Sequence, residues 1–299
     1  MRHHPLRLRA TRLALAPLLL AAAACSGKSS NPAAPSDPPG SSSAIAYTAI
    51  GASDAAGVGA SAVCVPFTAC PDGTGYVPVI ARDLRATGAA VTLMNLGIPA
   101  AVLSRRIQDI GNTYGRGIPG NLIDDEAPFV PKTTTLVTIF AGANDTNAIA
   151  TAVANGAGGS DPSGYIDDQV RAFATDYSAL VAAVKQRAPS ARIVVANLPN
   201  LAGMPYTAGL SAADKLIMQR ISVGFSTQAI NPVVAQGIAV VDLLCDARFL
   251  QPAIFSPDGF HPNDTGYRLL ADVMLRAINQ SEYPAPQGSC DQMTLAGPR

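Results

Sequence analysis

Short runs of aliphatic and β-branched residues recur along the chain at 45–50, 90–95, 134–140, 192–197 and 238–243. Each is too short for a buried helix and is bounded by Gly, Pro, Asn or Asp, so each is read as a strand buried on both faces. Between them lie stretches with apolar residues at helical spacing, over 77–87, 100–110, 165–187, 211–230 and from about 264 to 279. Strands alternating with helices predict βαβ units, hence an α/β three-layer sandwich around a central parallel five-stranded sheet. The Gly/Ser/Asn-rich stretch 155–164 reads as a mobile surface loop bordering a cleft.

The pattern changes before residue 44. Arg2, Arg7, Arg9 and Arg12 precede an apolar run over 13–24 that ends at Cys25, which predicts an export signal over 1–25. That run falls short of the roughly 20 residues a membrane-spanning helix needs. Small residues ending in Cys resemble a bacterial lipobox, although Ala22 stands where Leu is usual, and the resemblance implies a lipid on Cys25. The expected location is then the outer membrane or cell surface, with membrane attachment through that lipid. Ordinary signal-peptidase cleavage is the alternative and would leave a periplasmic or secreted protein. Residues 26–43 are almost wholly Ser, Pro, Gly, Ala, Asn and Asp, a composition that behaves as a tether of about 20–30 Å. One large α/β domain is expected over 44–299.

Removing the four signal arginines lowers the basic count from 21 to 17 against 21 acids, with no basic cluster and no Trp, so nucleic acid is not an expected partner. Beyond Cys25 the cysteines are Cys64, Cys70, Cys245 and Cys290. An even set in an exported chain predicts disulfides, here paired Cys64–Cys70 and Cys245–Cys290 among the connectivities open to them. Neither C-x-x-C nor a cluster of His is present, so no metal site and no cofactor is expected.

Once the signal is set aside, His261 is the sole histidine, because His3 and His4 lie inside it. It stands in Ser256-Pro257-Asp258-Gly259-Phe260-His261-Pro262-Asn263, where Asp258 can fold back onto the imidazole Nδ1–H. Other polar punctuation falls just after predicted strand ends, where open α/β sheets place ligands. Ser53 lies in Gly51-Ala52-Ser53-Asp54, Gly97 in Asn95-Leu96-Gly97-Ile98-Pro99, and Asn144 in Gly142-Ala143-Asn144-Asp145. Each has a plainer explanation as a cap or turn residue, and His261 as the cap of the last helix. Together they supply a hydroxyl, a base, an orienting carboxylate and donors for an oxyanion.

In this order the four blocks resemble the GDSL/SGNH family of serine esterases and lipases, over about 44–279. The resemblance implies a flavodoxin-like SGNH hydrolase fold with Ser53 as nucleophile, His261 as general base and Asp258 orienting it. It implies an oxyanion hole made by the Ser53 N–H, the Gly97 N–H and the Asn144 amide. One departure is Ala52, where the family usually has Asp, with Asp54 following instead. The expected substrate is a small-molecule or lipid carboxylic ester, bound by a pocket including Ile98, Val102, Tyr206 and Phe260. Polysaccharide O-acetyl esterase, thioesterase, an inactive glycan- or lipid-binding lipoprotein, and a reactive Cys245 facing His261 stay open as alternatives.

Overall fold

The computed structural model describes residues 44–297, so the signal, Cys25 and the linker expected over 1–43 lie outside the described residues. The strands are β1 (Ala44–Gly51), β2 (Ala90–Asn95), β3 (Leu136–Phe140), β4 (Arg192–Ala196) and β5 (Ala239–Val241), all parallel, in the order β2-β1-β3-β4-β5. Among the described residues the α-helices are α1 (Ser53–Ala56), α2 (Tyr76–Ala86), α3 (Arg105–Thr113), α4 (Leu122–Asp125), α5 (Ala143–Ala154), α6 (Pro162–Arg187), α7 (Ala212–Gly224) and α8 (Asp264–Asn279).

This strand order reverses direction between β1 and β3, and the carboxyl ends there open into a crevice. Right-handed crossovers place the β1–β2 connection on one face and the connections from β2 through β5 on the other. The helix contacts agree: α2 packs on α8, whereas α3 meets α5, and α5 and α6 meet α7. Covered on both sides, β4 is buried throughout and β3 is buried from Leu136 to Ile139, which explains their unbroken apolar runs.

Strand ends follow the apolar runs to within two residues. Thr134 and Thr135 precede β3 and already tie the chain to β1: Thr134 Oγ1 bonds Thr48 Oγ1 at 2.9 Å, Thr135 Oγ1 accepts the Ala46 N–H at 3.0 Å, and the Thr135 N–H donates to Ala46 O at 2.9 Å. Helix α3 starts at Arg105 rather than at 100, since Ala100 takes a left-handed φ of 67° that no helix continues through. The pattern missed α5 altogether. Its first turn is Asn-Asp-Thr-Asn and the rest is mostly Ala, so no apolar stripe marks it, yet Ala148, Ile149 and Ala152 bury between α3 and α7. The expected loop over 155–164 is shorter, because Pro162 opens α6 under an Asp161 cap that accepts the Gly164 N–H at 2.8 Å.

Disulfides join Cys64 to Cys70 and Cys245 to Cys290. The first closes the loop between α1 and α2; the second ties the C-terminal segment to the chain leaving β5. Among the described residues no helix is long and apolar enough to cross a membrane.

Candidate active site

Ser53 is the first residue of α1, reached directly from β1 through Ala52, whose φ of −111° and ψ of −132° belong to neither strand nor helix. The turn leaves Ser53 only 5% exposed, with its hydroxyl aimed at the segment before α8. There His261 Nε2 lies 2.9 Å from Ser53 Oγ, and His261 Nδ1 lies 2.6 Å from Asp258 Oδ2. A carboxylate facing Nδ1 holds the proton on that nitrogen and leaves Nε2 as an acceptor for the serine hydroxyl. Asp258 is fixed in turn: its Oδ1 accepts the Phe260 N–H at 2.8 Å, the His261 N–H at 2.9 Å and the Ser256 hydroxyl at 2.8 Å. Partial burial pushes the Asp258 carboxyl up, but the bonds from the His261 ring, these two N–H groups and Ser256 outweigh it and hold it well below the usual carboxylate range.

Two segments far apart in sequence meet here without side chains between them. Gly59, at φ 91°, has no room for a Cβ, which would stand 2.6 Å from Pro262 O and 2.8 Å from His261 Cβ. On the open side the Phe260 ring meets His261 edge-on at 4.8 Å, and Tyr206 meets Phe260 at 4.9 Å. The Tyr206 hydroxyl then bonds Asn147 Oδ1 at 3.2 Å, bringing α5 to the rim.

The loop after β2 can be followed donor by donor. Leu96 N–H bonds Ala49 O, Gly97 N–H bonds Asn95 Oδ1 at 3.1 Å, Ile98 N–H bonds Glu126 Oε1 at 3.1 Å, and Ala101 N–H bonds Ile98 O. Pro99 has no N–H. Among the described residues the Ala100 N–H has no partner, and it belongs to the residue in the left-handed conformation. The free donor expected at Gly97 is therefore occupied. What requires glycine at 97 is contact: a Cβ there would lie 2.5 Å from Ala55 Cβ and 3.0 Å from Ala52 O, inside the nucleophile turn. Asn144, in the first turn of α5, donates one amide hydrogen to Ala101 O at 3.0 Å and keeps a second free to point elsewhere. The Ser53 N–H likewise has no partner among the described residues.

Two buried carboxylates went unrecognised in the sequence. Glu126, wholly buried, accepts the Gly51 N–H at 2.9 Å as well as the Ile98 N–H; burial pushes its carboxyl up and these two donors oppose the rise. Its position within Asp124-Asp125-Glu126 looks like a solvated turn, and no residue-type signal sets it apart. Asp145, 1% exposed, accepts the Leu103 N–H at 2.8 Å, and burial pushes it up to about 7 against that bond. Asp54 borders an apolar cavity of about 40 Å³ that Phe140, Leu198, Phe255 and Phe260 also line. Of the expected pocket residues, Phe260 stands beside His261, Tyr206 packs on Phe260 and Ile98 is partly exposed, but Val102 is fully buried in the core. Cys245 is consumed by its disulfide and is no alternative nucleophile.

A parallel doubly wound sheet with a serine, a histidine and a carboxylate in hydrogen-bonded series at its carboxyl ends has the layout of a serine hydrolase. The family model of the GDSL-like lipase/acylhydrolase family matches residues 49–269, and the chain belongs to that family. Similar solved structures share the fold. An extracellular lipase from Streptomyces rimosus superposes with a TM-score of 0.54 at 20% identity, covering 78% of this chain and 100% of that one. The lipase Lip_vut3 from a goat rumen metagenome gives 0.54 at 17% identity, covering 80% and 100%. LAE5, an α/β hydrolase enzyme from the metagenome of Lake Arreo, gives 0.50 at 16% identity, covering 81% and 98%. Among curated proteins, none matches the chain.

Proposed function

We propose that the protein hydrolyses carboxylic esters through an acyl-enzyme on Ser53. The observation that carries this reading is the unbroken relay from Ser53 Oγ through both nitrogens of His261 to Asp258. In the first step Ser53 Oγ attacks the ester carbonyl carbon while His261 Nε2 takes the hydroxyl proton. The tetrahedral intermediate collapses, the C–O bond to the alcohol breaks, and His261 returns the proton to the leaving oxygen. Water then enters by the same route and releases the acid. Asp258 fixes the imidazole tautomer and stabilises the imidazolium without itself taking the proton. The developing oxyanion is met by the Ser53 N–H, the free amide hydrogen of Asn144 and the Ala100 N–H, the last taking the place first expected for Gly97.

The apolar space of about 40 Å³ beside Asp54, the residue after the nucleophile, favours a short acyl group. Two disulfides support an exported location, with attachment to a membrane through a lipidated Cys25 as the proposed anchor. A panel of p-nitrophenyl esters from acetyl to palmitoyl tests activity and acyl length together. Turnover is expected to be highest at the short end and to vanish in Ser53→Ala. Activity that survives Ser53→Ala in folded protein would overturn the mechanism, and a maximum at palmitoyl would overturn the short-acyl reading alone.

A further inference from the structure

Resting on this esterase reading, we infer that Glu126 is a positioning residue that locks the nucleophile turn to the oxyanion loop. Its two carboxylate oxygens take one N–H each from different segments: Gly51, two residues before Ser53, at 2.9 Å, and Ile98, two residues before Ala100, at 3.1 Å. Ser53 and Ala100 contribute the backbone donors with no other partner, so this one side chain sets the separation between them. Gly97 packs directly against Ala52 and Ala55, which makes the loop a rigid neighbour of the turn once the carboxylate holds both.

Chemistry favours this role over simple packing. A carboxylate with no exposed surface and no cationic partner among the described ion pairs carries a desolvation cost that an apolar side chain of similar volume would avoid. Two N–H groups converge on its two oxygens, one on each, and a carboxylate accepts at both, so this geometry is what the side chain serves although burial pushes its carboxyl up. Glutamine cannot accept at both: one N–H would face its NH₂ group and be left unpaired. Ala100 sits at φ 67°, a conformation that an alanine holds only where its surroundings over-determine it, and Glu126 supplies part of that constraint through Ile98.

The test compares Glu126→Gln and Glu126→Asp with a control, Val194→Ala, which opens a cavity in β4 away from the loop. For each, kcat and KM on p-nitrophenyl acetate, the affinity for a trifluoromethyl-ketone transition-state analogue, and the melting temperature are measured. Glu126→Gln is expected to lower kcat about 10- to 100-fold with KM within a few-fold, and to weaken analogue binding in parallel, as loss of an aligned oxyanion donor does. Glu126→Asp, which retains the carboxyl but reaches only one N–H, should fall between wild type and Gln, and it carries the test if the Gln variant does not fold. Val194→Ala should lose stability and keep kcat. Full kcat and analogue affinity in both Glu126 variants, or an equal kcat loss in Val194→Ala at matched melting temperature, would reduce Glu126 to a packing residue. Wild-type protein that neither hydrolyses the ester nor binds the analogue would overturn the esterase reading itself and this role with it.

Discussion

The His261 segment and the loop after β2 face each other across Ser53, and they are built on opposite principles. In the first, the hydrogen bonds that orient the base are local: Asp258 reaches a ring and a main chain three residues away, and Ser256 and Phe260 complete its shell. In the second, the contacts are remote: Asn95 receives Gly97, but Ile98 is held by Glu126 and Ala101 O by Asn144. A local device survives as a recognisable string of residue types. A remote one is assembled only when the sheet forms, and its useful group is a backbone N–H that any residue can carry.

The most severe test of the contrast removes the local device. Ser53→Ala and His261→Ala should each lower kcat by about 10³- to 10⁶-fold, since members of such a relay act as one unit. The double variant should be scarcely worse than either single one. Steady-state kinetics on p-nitrophenyl acetate, with circular dichroism to show folding, decides it. Additive losses would mean that serine and histidine do not work on the same proton.

The remote device gives smaller and more diagnostic effects. Asn144→Ala should lower kcat about 10²- to 10³-fold with little change in KM, because one oxyanion donor is lost. Ala100→Gly keeps the N–H and suits the left-handed φ, so activity should stay within a few-fold of wild type and stability should not fall. Gly97→Ala drives a methyl into Ala55 and the Ala52 carbonyl, and should cost about 1–3 kcal/mol with some loss of activity. Thermal melts and kcat of the three variants separate the roles. A silent Gly97→Ala beside a crippled Ala100→Gly would reverse the account of the loop.

What was legible in the sequence follows the same division. The strands could be read because β3 and β4 are buried on both faces and carry unbroken apolar runs. Ser53, Asp258, His261 and Asn144 could be singled out because few residue types perform their chemistry, and their positions fall at strand ends. Helix α5 could not be read, since its burial rests on Ala148, Ile149 and Ala152 rather than on a stripe of large residues. Gly97 was recognised as special for the wrong reason: its lack of a side chain serves close packing, not a free donor. Glu126 was hidden between acids and a Pro-containing turn, where only the folded chain reveals that it is the one turned inward.

The mildest effect concerns Asp145, the neighbour of Asn144, and it separates the two regions by pH. Burial raises its carboxyl to about 7 despite the Leu103 N–H, whereas the Asp258 carboxyl is held below the usual range. A raised acid keeps its proton in the folded state after the unfolded chain has lost it, so stability falls as pH rises from about 4 to 7 and changes no further above that. A depressed acid acts the other way: the stability from Asp258 is present above the ordinary carboxylate range and is lost only at lower pH. The two windows do not overlap. Asp145→Asn retains an acceptor for Leu103 and removes the titration, so its stability relative to wild type should improve between pH 4.5 and 7.5, on the order of 1–3 kcal/mol. Urea unfolding of both proteins at the two pH values measures this difference directly. A gap that does not change with pH would mean that Asp145 ionises at its ordinary value, and that the Leu103 N–H compensates its burial in full.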